Sequence, residues 1–238
     1  MKTKIGGILL IAAIATATTF TSCKKDTYGT GPVVSQTLSL QTITGINNCI
    51  DADVYLSQGT AQEVRIEGQA NIIDHIRQGV HNGTWDIEFD QNIHSHRKIT
   101  VYITIANLSA ITISGSGNIY SGTFDSVDVV HFNIKGSGNI EAGIHANSVY
   151  TEIDGSGNVS LSGTAAYEEV KVNGSGDVGA FALGAVDTKV YIYGSGKVEV
   201  NTSQSLYVKI NGSGEVYYKG NPSIQMDNNG SGSVYNSN

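Results

Sequence analysis

The side chains of this chain best suited to acid–base chemistry are carboxylates and lysines that return about once every twenty residues. Glu152, Asp154, Asp177 and Glu215 are interleaved with Lys135, Lys171 and Lys197 in the second half. Glycoside hydrolysis needs two convergent carboxylates, and a lyase needs a base with cationic or calcium assistance. A solvated, charge-balanced face uses the same residues without convergence, and on that reading no catalytic residue is assigned. His94 and His96, followed by Arg97, offer two nitrogen ligands, but no acidic residue or cysteine close in sequence completes a set. A solvent-facing loop is expected there and no metal is assigned. Glycine-rich calcium repeats recur about every nine residues with Asp in each turn, whereas only Gly174-Ser175-Gly176-Asp177 carries one here. The glycines are not followed by the lysine-serine or lysine-threonine pair of a phosphate loop, so no cofactor is expected. Cys49, in Asn47-Asn48-Cys49-Ile50-Asp51 without a histidine nearby, reads as a buried structural cysteine.

Tyrosines are the most suggestive polar aromatics. Tyr150, Tyr191 and Tyr207 precede a repeated glycine motif at outward positions, and Tyr120, Tyr217 and Tyr235 follow one. Such rings present an apolar face and a hydrogen-bonding edge, which suits sugar or protein contact. Tyr150, Tyr191 and Tyr207 are therefore the candidate contact face; cross-strand packing on an exposed sheet accounts for the same pattern.

The elements that must position these groups are set by seven copies of Gly-Ser-Gly. They begin at Gly115, Gly136, Gly155, Gly174, Gly194, Gly212 and Gly230, with spacings of 21, 19, 19, 20, 18 and 18 residues. A period near twenty predicts a stacked coil whose rungs are about 18–21 residues long. Two residues before each motif stand Ile113, Ile134, Ile153, Val172, Ile192, Ile210 and then Asn228. Four residues after its first glycine stand Ile119, Ile140, Val159, Val178, Val198, Val216 and Val234. These columns, with Ile111, Phe132, Thr151, Val170, Val190, Val208 and Met226 a further two residues upstream, form the expected core. Parallel stacking also brings Glu152 beside Lys171 and Glu169 beside Lys189, with no like charges adjacent. A meander of hairpins is the alternative, and it would pair each strand with its sequence neighbour across the turn. The glycines are expected to be structural turns that exploit positive φ, with the serines bonding locally or to the next rung.

Residues 33–112 alternate in the manner of strands but lack the period, as in Asp53-Val54-Tyr55-Leu56 and Ile99-Thr100-Val101-Tyr102-Ile103. Only Asn71–Arg77 has helical spacing, for at most two turns. This part is an irregular β-rich lead-in, and 113–238 form the repeats. Lys2, Lys4 and the apolar run from Ile5 to Ala17 read as an export signal over 1–22, too short to span a bilayer. Phe20-Thr21-Ser22-Cys23 resembles a bacterial lipoprotein box, which makes Cys23 the acylated first residue, with 23–32 as a tether. Ala15-Thr16-Ala17 is a competing cleavage site. Losing Lys2 and Lys4 takes the basic count from 14 to 12 against 21 acidic residues, a net charge near −9. That balance argues against nucleic acid or anionic lipid as partners.

The Asp53–Leu56 segment, the stretch Ile105–Gly117, the serial Gly-Ser-Gly motifs and Val216-Tyr217-Tyr218-Lys219-Gly220-Asn221-Pro222 together resemble the bacterial family of putative auto-transporter adhesins with a head GIN domain. The resemblance spans 33–238. It implies an all-β, single-stranded right-handed parallel β-helix, pectin-lyase-like in shape, and an envelope location of the kind found in Bacteroidetes. It also implies a role in adhesion and carries over no catalytic residues. The expected function is thus non-catalytic contact with a glycan or protein surface from a lipid-anchored, exported protein. Carbohydrate processing or binding, and self-assembly through open strand edges, are the alternatives.

Overall fold

The computed structural model describes residues 27–238; the leader and Cys23 lie outside the described residues. In chain order the first strands are β1 (Thr27–Tyr28), β2 (Val33–Leu38), β3 (Gly45–Asn48), β4 (Asp53–Gln58) and β5 (Glu63–Gln69). A single helical turn, α1 (Ala70–Ile73), precedes β6 (Val80–His81), β7 (Thr84–Ile87), β8 (Ile93–Ser95), β9 (Thr100–Ile105) and β10 (Ala110–Ile113). The repeats supply β11 (Ile119–Ile134), β12 (Ile140–Ile153), β13 (Val159–Val172), β14 (Val178–Ile192) and β15 (Lys197–Ile210). The chain closes with β16 (Glu215–Lys219), β17 (Ser223–Asn228) and β18 (Ser233–Asn236).

From β10 onward, every strand pairs in parallel with its equivalent one rung away. Ile134 faces Ile153, Ile153 faces Val172, and Val172 faces Ile192. Parallel pairing removes the hairpin meander and gives a coil in which each rung is one long curved strand between Gly-Ser-Gly corners. The inward columns are buried as their two-residue period requires. Ile113, Ile134, Ile153, Val172, Ile192 and Ile210 are all inaccessible to solvent, as are Ile119, Val178, Val198 and Val216. The column ends differently, since Met226 is 57% exposed and Ile224 43% exposed on β17, which among the described residues pairs with β15 alone.

The non-periodic half joins the same coil, in an order that differs from the sequence. β3 lies between β7 and β10, and β4 lies between β9 and β11, all in parallel. The rung made by β7 and β9 therefore stacks outside the rung made by β3 and β4, although it follows it in the chain. Two antiparallel strands then close this end, β5 against β9 and β2 against β5. Ile72, Ile73 and Ile76 bury the short helical segment against the same core. Residues 27–30, read from the sequence as tether, are docked: β1 pairs with β8, and the Gly29 amide donates to the Ser95 carbonyl at 2.7 Å.

The corner glycines are required by crowding and not by backbone handedness. None of them has positive φ; that conformation is confined to Gly31, Gly83, Gly163 and Gly220 among the described glycines. A methyl group at Gly136, Gly155, Gly174, Gly194, Gly212 or Gly230 would run into the carbonyl oxygen of the equivalent glycine one rung below. The second glycine of each motif is crowded in the same way, as at Gly157 against Gly138. At Gly115, the first corner, a Cβ would lie only 2.7 Å from the Cys49 and Ile50 carbonyl oxygens. The amide between the glycines carries the ladder onward: Ser156 donates to the Gly136 carbonyl at 3.2 Å and Ser175 to Gly155 at 3.1 Å. The serine side chains point outward, and a hydroxyl-to-hydroxyl contact between rungs joins Ser213 and Ser195 at 3.4 Å. Asn48 and Asn228 occupy the inward position at the two ends of this ladder. Their amides donate to the carbonyls of Ala52 at 2.8 Å and Gly232 at 2.9 Å, across the turns that follow.

The core holds a carboxyl group. Glu168 is fully buried, its Oε2 accepts from the Thr188 hydroxyl at 3.3 Å, and Thr202 donates to Thr188 at 2.7 Å. Its Oε1 has no hydrogen-bond partner among the described residues. Burial pushes the carboxyl up to about 8, against a smaller opposing pull from the Thr188 hydroxyl.

Two predictions follow from this packing. Gly174→Ala should destabilise the fold by roughly 1–3 kcal/mol in urea unfolding, Gly174→Asn should be no milder, and Ser175→Ala should stay within about 0.5 kcal/mol. Rescue by Asn would instead indicate a left-handed backbone requirement. The folded state holds a proton on Glu168 that the unfolded chain releases near the ordinary glutamate range, so its contribution is full at low pH. It is lost as pH rises from about 4.5 through about 8, and then levels off. The melting temperature of Glu168→Gln relative to the parent should accordingly climb between about pH 5 and pH 8, and a pH-independent difference would refute the assignment.

Candidate functional site

The outward positions between the corners form ladders, because equivalent residues on successive parallel rungs sit about 4.8 Å apart. Just after each corner runs an amide ladder. The Asn118 Oδ1 accepts from the backbone and side chain of Asn139 at 3.1 and 3.0 Å, and Asn139 accepts from Asn158 with the same geometry. The ladder continues to the Asp177 amide at 3.0 Å and from Asp177 Oδ1 to the Lys197 amide at 2.7 Å. At its other end the Asn118 amide donates to Asp53 at 3.3 Å, and Lys98 meets Asp53 at 2.5 Å. The side-chain oxygens of this column thus serve to satisfy backbone N–H groups at the corner.

The residues with catalytic potential are spread along these ladders. Lys171 meets Glu152 at 2.6 Å, and this carboxylate raises the lysine's pKa. Asp154 accepts from Asn173 at 2.6 Å, and Glu215 accepts from the Tyr217 hydroxyl at 2.9 Å. Lys135 occupies an exposed position beside the corner at Gly136. Of the two histidines, His94 is exposed in β8, with its ring 4.9 Å from Tyr28. His96 turns inward, its side chain 11% exposed, and meets the Asp51 carboxylate at 3.2 Å, a partner distant in sequence. Among the described residues no group of three or more metal-ligating side chains converges. Cys49 is partly buried, and burial raises its thiol pKa, with Asp86 and Glu88 adding to the effect.

The tyrosines divide into closed stacks and an open cleft. Tyr55 is sandwiched between Tyr102 and Tyr120, with ring centroids at 5.4 and 5.3 Å and planes within 17° and 21° of parallel. Arg65 covers the outer face of Tyr102 at 3.9 Å. Tyr217 and Tyr235 stack at 4.9 Å. Tyr150 stacks on His131 at 5.0 Å and leans on Tyr167 at 5.8 Å, so it is not in ring contact with the other two members of the expected face. Tyr191 and Tyr207 meet each other at 5.8 Å but are inclined by 55°. Together with Tyr167 they line a cleft of about 450 Å³ whose other walls include Asp187, Lys189, Ser205, Ser223 and Gln225. Tyr167 is the member that column reasoning missed. It stands two residues outside the column of Tyr150 and Tyr207, but its alternation with Glu169 and Lys171 already places it outward.

The cleft has a simple origin. In the column of Tyr167 the succeeding rungs carry Asp187, Ser205 and Ser223, whose short side chains leave depth beside the large ring. The Tyr167 hydroxyl donates to Glu169 at 2.6 Å, and burial followed by this carboxylate raises the phenol's pKa. Tyr191 is raised too, first by burial and then by Glu169. Lys189 lies 5.7 Å from the Tyr167 ring. A second, larger cleft of about 600 Å³ lies under the loop from Thr37 to Thr44, where Gln62 binds the Leu40 and Gln41 carbonyls and the Ile43 amide.

The coil is shared with solved structures. A putative adhesin from Bacteroides fragilis superposes with a TM-score of 0.82 at 23% identity, covering 89% of this chain and all of that one. A putative adhesin and a putative lipid binding protein, both from Parabacteroides distasonis, give TM-scores of 0.67 and 0.70 at 21% and 22% identity, each covering 90% of this chain and 100% of its own. A search among curated proteins gave no match. At these identities the likeness is one of fold. Residues 44–222, which include the lead-in rungs and six of the seven corners, match the family model, and the chain belongs to the family described as "Putative auto-transporter adhesin, head GIN domain".

Proposed function

We propose that this chain is an exported envelope protein whose coil displays contact surfaces and performs no catalysis. The observation that carries this reading is the use made of the outward polar residues. Glu152 and Asp154 share a rung, but both are held by the Asn173 amide and Glu152 also by Lys171, and Glu215, on a different rung, is held by Tyr217, whereas Tyr167, Tyr191 and Tyr207 line an open cleft on the sheet. Membership of an adhesin-type family supports the same reading.

Acylation of Cys23 anchors the protein in the membrane. Thr27 pairs with β8, so Cys23 lies four residues in sequence from the first described strand. No helix among the described residues is long and apolar enough to cross a membrane. A second reading, association of copies through the last rung, is favoured by the exposure of Ile224 and Met226 on the edge strand β17.

Metabolic labelling with palmitate should mark the parent and fail to mark Cys23→Ala, which should also leave the membrane fraction; persistent label on the variant would exclude this anchor. Beads coated with the full-length protein should be retained on a mucin-coated surface at flow rates that clear uncoated beads. Equal clearance would count against the contact role. Light scattering of the detergent-solubilised protein should give a dimer or larger species if the last rung pairs with another copy, and a monomer would dismiss that reading.

A further inference from the structure

The cleft framed by Tyr167, Tyr191 and Tyr207 differs from the other aromatic groups of the molecule in what it leaves available. In the Tyr102–Tyr55–Tyr120 stack and the Tyr217–Tyr235 pair, the ring faces are turned toward one another at 17–26°. Tyr191 and Tyr207 are inclined at 55°, so they cannot cover each other face to face, and the recess lies beside them. Around it stand groups of both hydrogen-bonding senses. Lys189 makes no ion pair and Gln225 no side-chain hydrogen bond among the described residues, and the Asp187 carboxylate accepts from Ser205.

Apolar ring faces beside uncommitted donors and a carboxylate acceptor match a pyranose. A sugar ring has one face of C–H groups that packs on an aromatic ring and a rim of hydroxyls that both donate and accept. The site is built on strands of four successive rungs, β13, β14, β15 and β17, so its walls are held by the ladder and need not be ordered on binding. Its volume of about 450 Å³ and its open, elongated frame along the coil accommodate more than a single ring.

We propose that this cleft is a binding site for a pyranose oligosaccharide, with Tyr191 and Tyr207 supplying the stacking surface and Asp187, Lys189 and Gln225 contacting the hydroxyl rim. The assignment rests on the reading of the chain as a contact protein and specifies the chemistry of one contact.

The test uses the full-length protein in detergent on an array of glucose, mannose, galactose and N-acetylglucosamine hexasaccharides. The parent should be retained by at least one of them. Tyr191→Ala and Tyr207→Ala should each weaken that retention about tenfold or more, while Tyr207→Phe keeps most of it because the ring is preserved. Tyr55→Ala, in the closed stack, should leave it unchanged. Melting temperatures within a few degrees of the parent show that the variants are folded, and Tyr207→Phe covers the case in which the alanine variants are not. Absence of retention on every hexasaccharide overturns the proposal, as does retention that is indifferent to Tyr191 and Tyr207 or equally sensitive to Tyr55. Retention of parent-coated beads on mucin with a blank array would leave the contact role standing and remove the oligosaccharide cleft. Loss of both would remove the two together.

Discussion

Rungs of a parallel coil can come no closer than their bulkiest corner allows, and in this protein the corners have no side chains. At each Gly-Ser-Gly turn the backbone of one rung rests on the carbonyl oxygens of the rung below, in space that a single methyl group would fill. That approach lets the serine amide reach the glycine carbonyl at about 3.0–3.2 Å, so the hydrogen-bond ladder runs through the turn. With the turns in register, the long strands that leave them are in register too, and the side-chain columns follow. A wider corner would tilt successive rungs and break the columns that make the core.

Regular stacking has consequences on both sides of the strand. Inside, columns of Ile and Val lie on one another, and the departures are informative: Glu168 and Thr188 are neighbours in a column continued by Val149 and Leu206, where burial favours the protonated acid and the hydroxyl donated by Thr188 partly opposes it. Outside, each side chain has its equivalents above and below as neighbours, so amides form a ladder from Asn118 to Asp177, and Glu152 meets Lys171. The ends need separate solutions, since an edge strand offers unpaired backbone groups. Antiparallel strands cover the amino-terminal end, whereas the carboxy-terminal rung relies on Asn228 for its turn and leaves Met226 exposed.

This division of labour bears on function. The interior and the corners are occupied with maintaining the rung spacing, which leaves the outward columns free to differ between rungs. An aromatic cleft arises where a large residue is followed along its column by small ones, as Tyr167 is followed by Ser205 and Ser223. Surface chemistry can therefore change by substitution within a column without disturbing the coil, a property suited to the adhesin-type family to which the chain belongs.

The repeat period, the inward columns from Ile111 to Val216 and the pairing of Glu152 with Lys171 were legible in the sequence, because parallel stacking turns a separation of 18–21 residues into direct contact. Seven copies of the same local pattern also made the corners unmistakable, although their physical cause, crowding between rungs at ordinary φ, needed the neighbouring rung to be seen. Where spacing is irregular, sequence distance ceases to encode spatial distance. Only tertiary structure placed β3 between β7 and β10, brought Asp51 to His96, and docked residues 27–30 against the strand ending at Ser95. It likewise separated Tyr150 from the Tyr191–Tyr207 pair and supplied Tyr167 in its place, since which rings face one another depends on their inclination and on the size of their column neighbours.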